Sequence, residues 1–232
     1  MPRKKERMND ILERFKSKSV LKQKVYHNTL QVFNELKVVL KDFSLESQKF
    51  LRKNKLFKIP VEYLSKGDYE AELSFAGDTL IFLMHTNVFE FPREHSIMRS
   101  PYIKEDETRA YCGIIYVYNF LADSLRFNRE NDIGYLVARI FVNKEFHFVV
   151  EGKRQMDYLS NTFIEESIDY QTLRQILETA VLYCLDFDLL LQPYDMLKEL
   201  SVAQIKEYSS NMRMMTGKRL GFRFQADPDE QL

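Results

Sequence analysis

No tryptophan occurs among the 232 residues, and cysteine, glycine and proline number only two, seven and six. Each scarcity closes off a class of protein. Cys112 and Cys184 have neither the spacing nor the number of a disulfide framework, so a reducing cytoplasm is the expected location. The glycines are scattered, so no Gly-rich loop follows a strand to cradle phosphates, and neither a P-loop nor a dinucleotide fingerprint is present. No HExxH, CxxC or GxSxG motif occurs either, which argues against structural zinc and a serine-hydrolase elbow. Neither metal nor cofactor is expected. No run of about 18 apolar residues could span a bilayer. The charged start, Met1 to Arg7, leads into the polar-interrupted stretch Met8 to Phe15, which does not read as a signal peptide.

What remains is a chain with 45% hydrophobic and 29% charged residues, outside the disordered regime. Its 34 cationic and 34 acidic side chains cancel only as a sum. Residues 1–58 carry 16 Lys and Arg against 6 Asp and Glu, and residues 59–232 carry 18 against 28. A basic first quarter is balanced by an acidic remainder, apart from a second basic patch at Arg213, Lys218, Arg219 and Arg223.

Neither glycine nor proline interrupts the chain between Pro2 and Pro60. Val25, Tyr26, Leu30, Val32, Phe33, Leu36, Val39, Leu40 and Phe43 fall on one half of a helical wheel, which predicts a long amphipathic helix with a wide buried face. Met8, Ile11, Leu12 and Phe15 form a shorter stripe in nearly the same phase, but Lys18 and Lys22 fall where it should continue. A bend or break near Ser17–Ser19 is therefore expected, with Ser19 as an N-cap.

From Asp68 to Glu151 the period becomes two. Tyr69, Ala71, Leu73 and Phe75 alternate with Glu70, Glu72 and Ser74, and Gly77-Asp78 turns the chain into a strand over Leu80 to Phe91. Further strands are predicted over Tyr111–Phe120, continuing into Ala122–Phe127, then Ile133–Val142 and Phe146–Val150, as an antiparallel meander. Two of these strands are apolar on both sides, which predicts that both sheet faces are covered, by the N-terminal and C-terminal helices taking one face each or by a second subunit. Leu173, Ile176, Leu177, Ala180, Cys184, Phe187 and Leu191 mark a buried helix, and Ser201 to Gln204 fits a capping box. The expected fold is α+β in one domain over 1–232: a basic helical arm (1–58), an antiparallel sheet of about five or six strands (68–151), helices (153–212) and a tail (213–232).

The connection Pro92 to Arg109 is the segment most suggestive of chemistry, because long connections are often lids or binding loops. There His95 could act as acid or base while Arg93 or Arg99 holds an anion. The competing account is a crossover in which Ile97 and Met98 pack and the charges are solvated. His27 and His147 are expected at solvent and His85 at a sheet surface. The spacing of the carboxylate pairs Glu70 and Glu72, Glu165 and Glu166, and Asp186 and Asp188 does not establish the placement across a bond that acid–base catalysis needs, and solvated faces and helix ends explain them better.

Arg3, Lys4, Lys5 and Arg7, with Lys218, Arg219 and Arg223 at the other end, could neutralise phosphates of a nucleic acid. No helix-turn-helix, RNP-type sheet or finger motif accompanies them. Contact between the basic helix and the acidic remainder, within one chain or between two copies, explains the charge division without a polyanion. The favoured expectation is a non-enzymatic intracellular interaction or regulatory protein, self-associating through the N-terminal helix or the sheet as a homo-oligomer. A nucleic-acid-associated accessory protein and an enzyme centred on the 92–109 connection are the alternatives. No membrane partner is expected.

Overall fold

The computed structural model describes residues 2–56, 58–152, 163, 164, 166–187, 194, 198–203, 205 and 206, with side chains from Arg7 onward. The tail, with Lys218, Arg219 and Arg223, lies outside the described residues, as does Gln204 of the expected capping box.

The first element is a helix of 52 residues. α1 (Pro2–Arg14) runs through a π-helical turn (Phe15–Ser19) into α2 (Val20–Lys53). Arg14 and Val20 keep helical backbone angles on either side of the turn, so nothing interrupts the rod. At about 1.5 Å per residue it is roughly 80 Å long. The expected irregularity is therefore a π turn, and Ser19, with helical angles and no side-chain capping bond, does not start a new helix. A π turn takes up one extra residue, so the helix beyond it is rotated by about 100°. That rotation carries Lys22 off the line of Met8, Ile11, Leu12 and Phe15 and brings Val20 onto it.

Farther along, α2 buries Val25, Val32, Phe33, Leu36, Val39 and Leu40, the apolar half that the wheel picks out. They pack on one face of a seven-stranded antiparallel sheet: β1 (Val61–Ser65), β2 (Glu70–Phe75), β3 (Asp78–Met84), β4 (Phe89–Glu90), β5 (Tyr111–Leu121), β6 (Tyr135–Asn143) and β7 (Phe148–Gly152). The order is β1-β2-β3-β5-β6-β7, with the two-residue β4 paired to β5. α3 (Pro101–Glu105) lies in the connection before β5, α4 (Ala122–Arg126) follows β5, and α5 (Tyr170–Leu185) follows β7.

Several strand expectations shift. β1 is an addition: Val61 and Tyr63 face inward in register with Phe75 and Leu73, but five residues after a proline are too few for alternation to stand out. Ala122–Phe127 is not a strand, because the Ala122 N–H donates to the Gly77 carbonyl (2.9 Å) and α4 begins there. Phe146 belongs to the β6–β7 turn, where its φ of 62° is incompatible with an extended strand.

The two sheet faces are covered differently. Leu173, Ile176, Leu177, Ala180, Val181 and Cys184 of α5 share one core with α2 and with Leu73, Phe82, Ile115, Ile140 and Val150 of the sheet. Both long helices thus cover the same face, and among the described residues the expected arrangement of one helix on each face is not found. A β-bulge between Val117 and Tyr118 moves the β6 side chains by one register step, so Ala138, Ile140 and Val142 join the helical side while Leu136 pairs with Tyr118. Together with Phe141, buried against the connection before β5 on the other face, this is why β6 reads as apolar on both sides.

Candidate functional site

The back face is capped at one end by the connection between β4 and β5. Short turns, each started by a polar side chain, replace the irregular loop. His95 Nδ1 accepts from the Ile97 N–H (3.3 Å), Ser100 Oγ from the Ile103 N–H (3.3 Å), and Asp106 Oδ1 from the Thr108 N–H (2.9 Å). These satisfy the free amides of a 3₁₀ turn at Ser96–Arg99, of α3, and of a second 3₁₀ turn at Glu107–Ala110. The turns bury Ile97, Tyr102 and Ile103 on Ile114, Phe141 and Val149 of the sheet, with Met98 partly buried beside them. The segment is thus a packed cap.

The cap brings His95 to the sheet. Its Nε2 lies 3.3 Å from Glu151 Oε1 on β7, Glu151 Oε2 meets Arg139 at 2.5 Å, and the His95 ring is 4.9 Å from that of Phe91. Arg93 and Arg99 are exposed, and their side chains make no hydrogen bond or ion pair among the described residues. His95 is therefore joined to a carboxylate from a distant strand and not to the arginines beside it in sequence. Glu151 carried no local signal that could single it out.

A second polar group forms around Tyr102. Its hydroxyl donates to Glu145 Oε2 (2.8 Å), accepts from Asn143 Nδ2 (2.8 Å) and meets His147 Nδ1 (2.7 Å). Arg109 lies over the Tyr102 ring, 4.4 Å from its centroid, and donates to Glu145 Oε1 (3.2 Å) and Glu105. Burial and the Glu145 hydrogen bond push the Tyr102 hydroxyl well above its ordinary pKa, so it stays protonated as the donor the geometry requires. His147 is correspondingly a half-buried member of this network and not a solvent-facing histidine. His27 is at solvent, bonded to the Gln23 carbonyl (2.7 Å), and His85 Nδ1 accepts from the Asn87 N–H (2.9 Å). Every polar atom of Tyr102, Asn143 and Glu145 that the network uses is engaged by protein, which makes it a clasp between the cap and the β6–β7 turn.

Asp106 provides a measurable consequence. Hydrogen bonds from Lys144 and Thr108 hold its carboxyl down at about 2. A depressed carboxyl stabilises the fold above its unfolded pKa near 4, and that contribution is lost as pH falls toward 2. Since Asp106 is about one-third exposed, screening reduces the effect to about 1 kcal/mol. Urea midpoints measured from pH 5 to pH 2 should fall less steeply in Asp106→Asn than in the parent; parallel curves count against the assignment.

The third feature is the N-terminal helix before it reaches the sheet. From Arg7 to Val20 every side chain is exposed, including Met8, Ile11, Leu12, Phe15 (58%) and Val20 (59%). Burial begins only at Val25, although Lys18 already lies over the Tyr111 ring at 5.5 Å. The stripe is flanked by Arg7, Arg14, Lys16, Lys18, Lys22 and Lys24. The structure extends Arg3, Lys4 and Lys5 along the same rod. Among the described residues no cation of this region pairs with an acid of the sheet body. The cross-pair that does form runs the other way, from Arg174 on α5 to Glu46 on α2 (2.7 Å).

No family model matches this chain, and neither a curated protein nor a solved structure matches it. Among the described residues there is no cluster of potential metal ligands, and no helix is long and apolar enough to cross a membrane.

Proposed function

We propose that this chain is a non-enzymatic interaction protein that associates with itself through its projecting N-terminal helix. The exposed stripe of Met8, Ile11, Leu12, Phe15 and Val20 carries this reading. Scattered surface apolar residues need no explanation, but five in line on a helix that touches little else form a partner-facing seam. The closed hydrogen bonding around Tyr102 supports a structural role for the connection that could otherwise have housed chemistry.

The seam can be altered without touching the core. Ile11→Ser/Phe15→Ser should leave the circular dichroism spectrum and melting temperature near those of the parent while weakening self-association at least about tenfold in sedimentation velocity. A parent that remains monomeric at about 100 µM removes the proposal.

A further inference from the structure

The back face beyond the cap offers a counterpart to the arm. Register places Ile81 and Leu83 of β3, Tyr116 and Tyr118 of β5 and Leu136 of β6 side by side on the face away from the helices, with Leu64 of β1 on the same face beyond β2. Leu64 is 52% exposed, and Leu83, Tyr116, Tyr118 and Leu136 are half-buried. Tyr116 and Tyr118 lie nearly parallel, with centroids 6.0 Å apart. Antiparallel sheets with a wet face normally alternate toward polar residues there, and β3 and β5 do not. Glu72 lies within this face between Leu64 and Ile81 and pairs with Lys66, as Glu70 does; Glu62 stands exposed at one edge, and Glu151, paired with Arg139, at the other.

The arm has the opposite character, with an apolar seam and nine Lys or Arg against three Asp or Glu over residues 2–24. Two such arms side by side would set like charges against each other, whereas an arm on the acidic-rimmed face pairs apolar with apolar and cation with carboxylate. An arm cannot make this contact with its own sheet. It continues α2 through the π turn with helical backbone angles on both sides, and α2 is held on the opposite face by Val25, Phe33, Leu36 and Leu40. Measured from Val25, the rod runs about 35 Å past its first buried side chain, long enough to reach across a neighbouring molecule.

We propose that the arm of one copy seats on the back face of a second copy, and that the second returns its arm in the same way. The arrangement rests on the self-association proposed above and specifies its geometry. Reciprocal exchange closes at two copies, because each molecule has one arm to give and one face to receive.

Two variants separate the halves of the interface. Leu12→Asp/Phe15→Asp spoils the arm and leaves the face, and Glu62→Lys/Leu64→Lys spoils the face and leaves the arm; all four positions are exposed. In sedimentation velocity each variant alone should associate at least about thirtyfold more weakly than the parent. Mixed in equal amounts, they should form a heterodimer, since the face variant's intact arm meets the arm variant's intact face. Raising salt from about 50 to 500 mM should weaken the parent dimer. A face variant that dimerises like the parent while the arm variant does not means that arms bind elsewhere, which overturns the exchange but keeps self-association. Two monomeric variants whose mixture stays monomeric overturn the exchange as well. A parent that is monomeric, whether or not its arm binds phosphatidylserine vesicles or duplex DNA, overturns both.

Discussion

Gly113→Ala is expected to destabilise the protein by about 3 kcal/mol, at the upper end of what overpacking usually costs. A Cβ at Gly113 would lie 2.1 Å from Thr29 Oγ1 and 2.7 Å from Thr29 Cβ and Cγ2. Thr29 cannot yield, because it is fully buried and its hydroxyl is bonded to the Val25 carbonyl one turn back (2.8 Å). The missing side chain is what lets α2 lie so close to β5, the strand that pairs with β3, β4 and β6. For a chain of this length the loss corresponds to a melting temperature lower by about 10 °C. Thr29→Ala in the same chain should restore only part of it, since the residue 29 Cβ remains in the way. Gly77→Ala is the control: a Cβ there meets nothing within 4 Å, and a change within about 0.5 kcal/mol is expected. Equal urea midpoints for Gly113→Ala and the parent would falsify this account of the helix–sheet contact.

Asn143→Ala should cost a similar amount, about 3 kcal/mol, by a different route. Asn143 is completely buried, and its side chain serves two elements. Oδ1 accepts from the Glu145 N–H (2.8 Å) and the His147 N–H (3.1 Å), shaping the turn before β7, and Nδ2 donates to the Tyr102 hydroxyl. Its carbonyl receives Asn28 Nδ2 from α2 (3.1 Å), so the helix is tied to the same point. Truncation leaves two backbone amides and the tyrosine hydroxyl short of a partner, each costing about 1–3 kcal/mol when water cannot replace it. Water reaches the half-buried Glu145 and His147, which holds the total to the stated value. The loss should be local before it is global. Amide exchange over residues 97–110 should accelerate in Asn143→Ala, while that of β2 changes only with overall stability. Uniform acceleration would mean that Asn143 does not fasten the cap.

Local sequence was a sound guide to the kind of element at most positions. The apolar half of Val25–Phe43 is the buried face of α2, and Ala71, Leu73 and Phe75 of the alternating segment are the inward row of β2. Glycine and proline spacing separated helix from sheet, and the conflict of Lys18 and Lys22 with the apolar stripe located the π turn. The polar clasp was less legible. Tyr102, Asn143 and Glu145 are ordinary residues in sequence, and the pull of His95 toward Arg93 and Arg99 came from proximity along the chain, whereas its partner Glu151 lies on β7. The basic arm could be read as basic and amphipathic, but whether its seam is covered depends on what passes near it.

The amino-acid order by itself determined the α+β succession, the long amphipathic helix with an irregularity near Ser17–Ser19 and the partition of positive from negative charge, because periodicity and composition act within a few turns or strands. Folding in three dimensions decided that α2 and α5 share one sheet face, that a bulge at Val117 and Tyr118 divides β6 between two faces, and that the arm stands clear of its own acidic body. A periodic pattern records that one side of an element avoids water. Which surface excludes the water is settled by contacts between residues far apart in the chain, and for residues 7–20 no described part of the same chain provides it.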